Sequence, residues 1–323
     1  MHTNEPFRLG IIGSGIVAAL HVKAARTLPQ VEVAAVCDIR TDAAEAMAAD
    51  AGAAAYPGHR EMLAAERLDG VIVTSPHTLH AQQTLDVAAA GVHVLVEKPM
   101  GTSVEDCTAM IEACRTAGVT LAVGHVMRFS ETARMAEKVV SSGELGPVRA
   151  ITHRRSARYS RDSRPAWFFD PALAGGGIVM NVGTHGLDRI QWLGGGEIET
   201  VHAHVWHRGG LEIETDAIGV AELSSGVKAG FTFTTAAVPY MDETLVLCED
   251  GSLRWSATEG LWVSRDGGTE ARLADPDEET ADAFAAQLAA FVESCRTGTP
   301  PAVSGEYGRQ VVSTVLAIYE AGS

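Results

Sequence analysis

The 323-residue chain is longer than one hydrophobic core usually serves, so two domains are expected. Its 25 basic against 41 acidic side chains leave a net charge of -16, which repels nucleic acid and anionic membrane surfaces and points to a small-molecule partner. No apolar stretch approaches the roughly 18 residues of a membrane span, the first residues show no basic-then-apolar leader pattern, and Cys37, Cys107, Cys114, Cys248 and Cys295 are scattered without CxxC spacing. A cytoplasmic protein with buried thiols and no metal site is expected.

From residue 7 to about 123, the apolar runs "FRLGIIG", "VEVAAVCD", "GVIVTSP", "GVHVLVEKP" and "VTLAVGH" alternate with alanine-rich helical segments at 41–52, 78–90 and 103–117. Runs that are apolar nearly throughout predict strands buried on both faces, hence a doubly wound parallel sheet. Beyond residue 124, one helical pattern (128–146) leads to strand-like runs near 148–154, 198–206, 214–223, 226–235, 241–248 and 261–264, and "SSG" and "EDG" turns favour antiparallel pairing. Two late helices, 279–295 and 304–320, close the chain. The expected architecture is α/β: a Rossmann domain over 1–123, then an α+β domain on an open, mostly antiparallel sheet over 124–323.

"LGIIGSGIVAALH" carries Gly13, Ser14, Gly15, Ile16, Val17 and Ala18 in the G-x-G-x-x-G/A form between a strand and a helix. Gly13 permits the tight turn, Gly15 lets backbone approach a diphosphate, and Ala18 lets the helix pack close to the strand. Asp38 ends the second strand twenty residues beyond Ala18, where a carboxylate accepts from an adenosine ribose and repels a 2'-phosphate. NAD is favoured; Arg40 keeps NADP open.

Ligands in open parallel sheets bind beyond the carboxyl ends of the strands. Two loops qualify: "TSPHTLH", with Ser75, Pro76, His77 and His80, and "EKPM", with Glu97 and Lys98, where Pro99 favours an extended Lys98. Lys98 beside a nicotinamide suits proton transfer or hydroxyl binding. In "GGGIVMNVGTHGLD", Asn181, His185 and Asp188 fall at i, i+4 and i+7, on one face of an expected helix, with His185 a candidate general base oriented by its neighbours.

Through "GIIGSGIVAALH", "VCD", "TSPHTLH", "VEKPM", "VGHVMRF", "WFFDPALAGGG", "NVGTHGLD" and "FVESCRTGTPPAVSGEYGRQVV", the chain resembles the Gfo/Idh/MocA family of NAD(P)-dependent sugar and cyclitol oxidoreductases over nearly its full length. The resemblance implies dimers or tetramers built on the C-terminal sheet. It assigns Lys98 to alkoxide stabilisation, His185 to acid/base work and Asn181 to the catalytic group, with Arg128, Arg154, Tyr159 and Trp167 joining Lys98, Asn181 and His185 around the substrate. Departures are Asn181 where aspartate is common, His77 and Val126 where asparagine is frequent, and Phe168 where arginine often follows the tryptophan.

The implied reaction moves a hydride between nicotinamide and a secondary alcohol of a sugar, cyclitol or derivative. Alternatives are a redox-neutral NAD-dependent glycoside hydrolase or lyase using transient oxidation, and a non-enzymatic NAD sensor. Arg149, Arg154, Arg155, Arg158, Arg161 and Arg164 cluster against Asp162 alone. They suit either an acidic sugar or a solvated or subunit-interface surface.

Overall fold

The computed structural model describes residues 5–162, 164–236, 238–277 and 280–322. The chain divides into two compact units: one runs to Val126 and takes in a later segment ending at Arg309, and the other begins at Met127 and resumes at Gln310.

Among the described residues, the first unit holds β1 (Phe7–Ile12), α1 (Ile16–Arg26), β2 (Val31–Cys37), α2 (Thr41–Ala51), β3 (Ala54–Tyr56), α3 (His59–Ala65), β4 (Gly70–Val73), α4 (His80–Ala89), β5 (His93–Glu97), α5 (Val104–Ala117) and β6 (Leu121–Gly124). All strand pairs are parallel, in the order β3-β2-β1-β4-β5-β6. Leu9, Ile11, Val71, Ile72 and Val73 are fully buried, as expected of strands covered on both faces. The order reverses between β1 and β4, so a crevice opens at their carboxyl ends. β3 was not among the expected runs: three residues, two of them alanine, carry no apolar period, and pairing with β2 creates the strand.

The second unit holds α6 (Glu131–Ser142), β7 (Val148–Ser156), α7 (Pro171–Ala174), α8 (Thr184–Gly194), β8 (Ile198–Trp206), β9 (Asp216–Leu223), β10 (Lys228–Thr234), β11 (Asp242–Cys248), β12 (Gly251–Ser256), β13 (Gly260–Arg265) and β14 (Ala271–Ala274). The strands form one open sheet, β14-β13-β12-β11-β7-β10-β9-β8, antiparallel except for the parallel β7–β10 pair.

One face of this sheet carries α8, through Ile151 and His153 of β7 and Phe233 of β10. The approach is close enough that a Cβ on Gly186 would lie 2.3 Å from the His153 ring and 2.8 Å from Phe233. Thr152, Arg154, Ile218, Val220, Glu243 and Leu245 line the opposite face.

Helices α9 (Thr280–Thr297) and α10 (Gly305–Ala321) correct the expected boundary. A single break at 123/124 assigns α9 to the second domain. Instead, its Phe284 ring meets His21 of α1 at 4.8 Å and its Phe291 ring meets Phe7 of β1 at 6.1 Å. Burying those aromatics makes α9 part of the first unit, and the boundary falls inside α10.

Candidate active site

The first unit supplies a cradle for a dinucleotide. Gly13 sits at φ +95°, and a Cβ there would lie 2.8 Å from Thr74 Oγ1, so the turn between β1 and α1 requires glycine. Around Gly15 a Cβ would meet nothing within 4 Å, which leaves open space in front of the first amides of α1. That helix begins with no side-chain cap and no acidic residue in its first turn, so its N-terminal amides face outward, as an anion requires. Ile16 and Ile39 are 77% and 92% exposed, apolar ledges at the strand ends on which a flat ring can lie.

Asp38 closes the cradle. Its Oδ2 accepts from Ser14 N at 2.8 Å and Ser14 Oγ at 2.7 Å, and its Oδ1 accepts from Arg40 N at 2.9 Å. Burial pushes this carboxyl up, but the Ser14 and Arg40 hydrogen bonds outweigh it and hold the group below the ordinary carboxylate range. Asp38 is therefore an anion at neutral pH. These residues fit NAD: a glycine turn, open amides, a charged acceptor and apolar ledges.

The loops after β4 and β5 are held from beneath. His80, buried, places Nε2 2.8 Å from Ser75 O and Nδ1 2.9 Å from Pro99 O, so one imidazole bridges both loops. Burial pulls its pKa down against those two carbonyls. Ser75 Oγ donates to Gln83 Oε1 at 2.5 Å, Pro76 leads into a short turn, and His77 is buried within it.

Glu97 is buried against His21, and its Oε2 accepts from Lys98 N at 3.2 Å. A Cβ on the facing Gly124 would lie 2.9 Å from that carboxyl, so only glycine leaves room for it. His80 and Glu97, expected to contact cofactor, are thus supports: their polar atoms are spent on backbone and on His21. Lys98 itself is half-buried and joined to Pro99 by a cis peptide.

The second unit builds a separate constellation. Val179–Gly183 winds as a π-helix running directly into α8, which corrects the expectation of one continuous α-helical face for Asn181, His185 and Asp188. Asn181 lies in the wide turn, while His185 and Asp188 lie in the α-helix, and such π segments often mark functional sites.

A carboxylate that sequence reasoning missed caps this segment. Buried Glu214 accepts from Gly177 N at 2.6 Å, Val179 N at 2.9 Å and Tyr319 Oη at 2.8 Å. Its only signal was an acidic residue within the apolar-acidic run "LEIETD".

Asn181 Nδ2 donates to Tyr159 Oη at 2.6 Å, and His185 follows half-buried on α8. Tyr159 sits among Trp167, Phe168 and Phe169, its ring 6.1 Å from each phenylalanine and the Trp167 ring 4.1 Å from Phe168. Arg128 reaches Asp188 Oδ1 with Nε at 2.8 Å and lies 4.9 Å over Trp192. It braces α8 instead of facing outward.

The arginine cluster separates by strand parity. Arg149 pairs with Glu249 at 2.5 Å and Arg154 with Glu243 at 3.0 Å, both exposed. Arg154 therefore leaves the expected substrate set, because it stands on the sheet face opposite α8. Arg155, one residue on, points to the α8 face, where Asp242 lies 3.4 Å away. A groove of about 860 Å³ lies on the Arg154 face of this sheet, away from α8. Size alone does not mark the site.

Among the described residues, no helix is long and apolar enough to cross a membrane, and no group of three or more His, Cys, Asp or Glu side chains is placed to hold a metal ion. A nucleotide cradle on a doubly wound sheet, followed by a mostly antiparallel sheet bearing a histidine helix, defines a two-unit nicotinamide-dependent oxidoreductase.

Known proteins agree. Residues 7–125 match the model of the oxidoreductase family with an NAD-binding Rossmann fold, and residues 133–254 match the GFO/IDH/MocA C-terminal domain. The chain belongs to the Gfo/Idh/MocA family. It is 31% identical to a D-xylose 1-dehydrogenase (NADP(+)) of Haloferax volcanii, over 96% of each chain. Among solved structures, it resembles the aldose-aldose oxidoreductase of Caulobacter crescentus complexed with glycerol (TM-score 0.88, 27% identity, 98% of each chain). It also resembles the WlbA dehydrogenase of Bordetella pertussis in complex with NADH and UDP-GlcNAcA (TM-score 0.87, 25% identity, 98% of this chain and 97% of that one).

Proposed function

We propose that this protein oxidises a secondary carbinol of a sugar, cyclitol or sugar derivative, with NAD as the preferred acceptor. The observation that carries the reading is the open cradle at Gly15 beside an ionised Asp38, in a chain of this family. NAD, when bound, supplies a two-electron acceptor for the hydride. Gly13, Ser14, Gly15, Ile16 and Val17 hold its diphosphate side, Asp38 and Arg40 its adenosine ribose, and Ser75, Pro76 and His77 the β4 side of the crevice. His80 and Glu97 hold these loops in place.

Lys98 donates to the carbinol oxygen and stabilises the negative charge that develops there. His185 takes the hydroxyl proton, and Asn181 fixes the geometry by its bond to Tyr159. Tyr159 and Trp167 offer the aromatic walls that sugars stack on. Relatives acting on D-xylose, D-glucosides and myo-inositol support a polyol substrate.

A homodimer or homotetramer built on the open sheet face is part of the proposal. Ile218, Val220 and Leu247 are 48%, 58% and 40% exposed there, apolar side chains that a symmetric contact between copies would cover. The first unit then serves the cofactor, the second the substrate and assembly, in the cytoplasm.

The test is NAD reduction, followed by nicotinamide absorbance, across inositols, aldoses, uronates and nucleotide sugars, with Lys98→Ala as control. At least one class should turn over in the parent chain and none in the variant. Tight NAD binding with no reduction by any class would overturn the reading.

A further inference from the structure

On the α8 face of the second sheet, charges do not balance. Asp242 Oδ1 accepts from Arg189 Nη1 at 2.6 Å, and Arg155 Nε lies 3.4 Å from Asp242 Oδ2. Arg189, itself 1% exposed, is stacked 3.7 Å over Trp255. Asp188 is matched by Arg128 at 2.6 Å. Three guanidinium groups thus meet two carboxylates; Arg189 and both carboxylates are 1% exposed, while the Arg128 and Arg155 side chains keep 12% and 16% exposure. His153, in the same cluster, adds no charge, since burial pulls its pKa down to about 3.

Arg155 makes the longest of these contacts, 3.4 Å to Asp242 Oδ2, an oxygen that itself has no hydrogen-bond partner. Arg155 Nη1 is buried with no hydrogen-bond partner, an arrangement that costs free energy unless something fills it. The Arg164 guanidinium lies 5.2 Å over the Tyr159 ring, and the charge of Arg155, four residues before Tyr159, acts weakly on the same hydroxyl, opposing the rise that burial gives its pKa. The carboxylate facing Tyr159, Glu214, is already spent on two backbone amides and Tyr319. Tyr159 in turn is bonded to Asn181, one turn before His185. The uncompensated positive charge therefore lies beside the groups assigned to the substrate.

We propose that Arg155, with Arg164 across Tyr159, seats an anionic group of the substrate, so that the protein acts on an acidic sugar and not on a neutral polyol. A carboxylate suits the planar guanidinium fork best, because paired N–H donors match its two oxygens. A sugar phosphate offers the same charge with different geometry. This inference rests on the oxidoreductase reading of the same site and narrows its substrate.

The experiment compares kcat/KM for D-glucuronate against D-glucose, D-galacturonate against D-galactose, and D-glucose 6-phosphate, in the parent chain and in Arg155→Met, Arg155→Lys and Arg154→Met. The parent should favour the acidic partner of a pair at least tenfold. Arg155→Met should cut that ratio at least tenfold, Arg155→Lys by less, and Arg154→Met should leave it within about twofold, since Arg154 lies on the other face. A larger effect on the phosphate than on the uronates would assign the seat to phosphate.

Equal or better use of neutral sugars by the parent, or an unchanged ratio in Arg155→Met, overturns the proposal. Calorimetric titration of D-glucuronate into the NADH-loaded chain separates this from the parent reading. If no sugar reduces NAD, binding that weakens at least tenfold in Arg155→Met still supports the seat, whereas absent or unaltered binding rejects it. Arg155→Lys keeps the charge in the cluster, so the comparison survives if the methionine variant folds poorly.

Discussion

His21 Nε2 lies 3.0 Å from Glu97 Oε1, with both side chains buried. The pair ties α1, whose other end opens the nucleotide cradle, to the last residue of β5, immediately before Lys98. Burial pushes the Glu97 carboxyl up. The His21 bond and the nearby Lys98 charge more than compensate, so Glu97 stays below the ordinary range and ionised. By reciprocity, its charge favours the Lys98 ammonium.

Glu97→Gln keeps the shape and removes the charge. The Lys98 pKa should then fall, and the high-pH limb of kcat/KM should move to lower pH by about one unit. The maximal rate should drop as the loop loosens. A high-pH limb at its original position would reduce Glu97 to a packing role.

Asp38 does two jobs at once. In the proposed function it presents charge to the adenosine ribose, and in the structure it holds Arg40, whose Nε is 3.5 Å from Oδ1. Asp38→Ser removes the repulsion toward a 2'-phosphate and releases Arg40, which is 64% exposed, to meet it. The preference for NAD over NADP should fall by about tenfold or more, on the order of 1.4 kcal/mol. Adding Arg40→Ala should erase the gain with NADP while sparing NAD. Steady-state kinetics with both cofactors decide it; an NADP gain that survives the double replacement would dismiss Arg40.

Asn181 stands where the family resemblance leads one to expect aspartate, and its amide is bonded to Tyr159. In Asn181→Asp the Tyr159 hydroxyl can donate to the new carboxylate, so the turn keeps its shape. The added negative charge favours the His185 imidazolium, raising its pKa. The low-pH limb of kcat/KM should therefore shift to higher pH by about one unit, without a comparable loss of cofactor affinity. An unmoved limb would count against His185 as the base.

What could be read beforehand was chemistry carried by adjacent residues. Gly13 to Ala18 define a turn by their own steric limits, and Asp38 and Lys98 follow apolar runs whose strand character needs no partner to be recognised. What could not be read depends on tertiary pairing. β3 and β14 are strands because neighbours complete their hydrogen bonds, not because of their apolar period, and β12 shows only the short alternation of Leu253 and Trp255.

The π turn at Asn181 leaves no mark in the side-chain pattern, since it is the backbone that gains a residue. The two neighbouring arginines of β7 show the same limit. Strand geometry sends Arg154 and Arg155 to opposite faces, and only their phase relative to buried Ile151 hints which one turns inward.

His153 makes the second unit sensitive to acid. Its Nδ1 is 2.8 Å from Thr244 Oγ1, Gly186 closes over its ring, and Asp242, Arg155 and Arg189 are the charged groups around it. Burial outweighs the attraction of Asp242, with Arg189 and Arg155 acting in the same direction as burial, and the folded pKa drops from 6.5 to about 3. Between those values the unfolded chain binds a proton that the folded chain refuses, so stability is full above the unfolded value and falls as pH decreases toward the folded one. The slope from this group is about 1.4 kcal/mol per pH unit, or roughly 2 kcal/mol between pH 6.5 and 5. His153→Asn retains a polar atom near the Nδ1 position and removes the titration. Urea unfolding of both chains at pH 7, 6 and 5 should therefore give curves that diverge from parallel, with the variant losing less stability on acidification. Equal slopes would mean that His153 takes up its proton in the folded state.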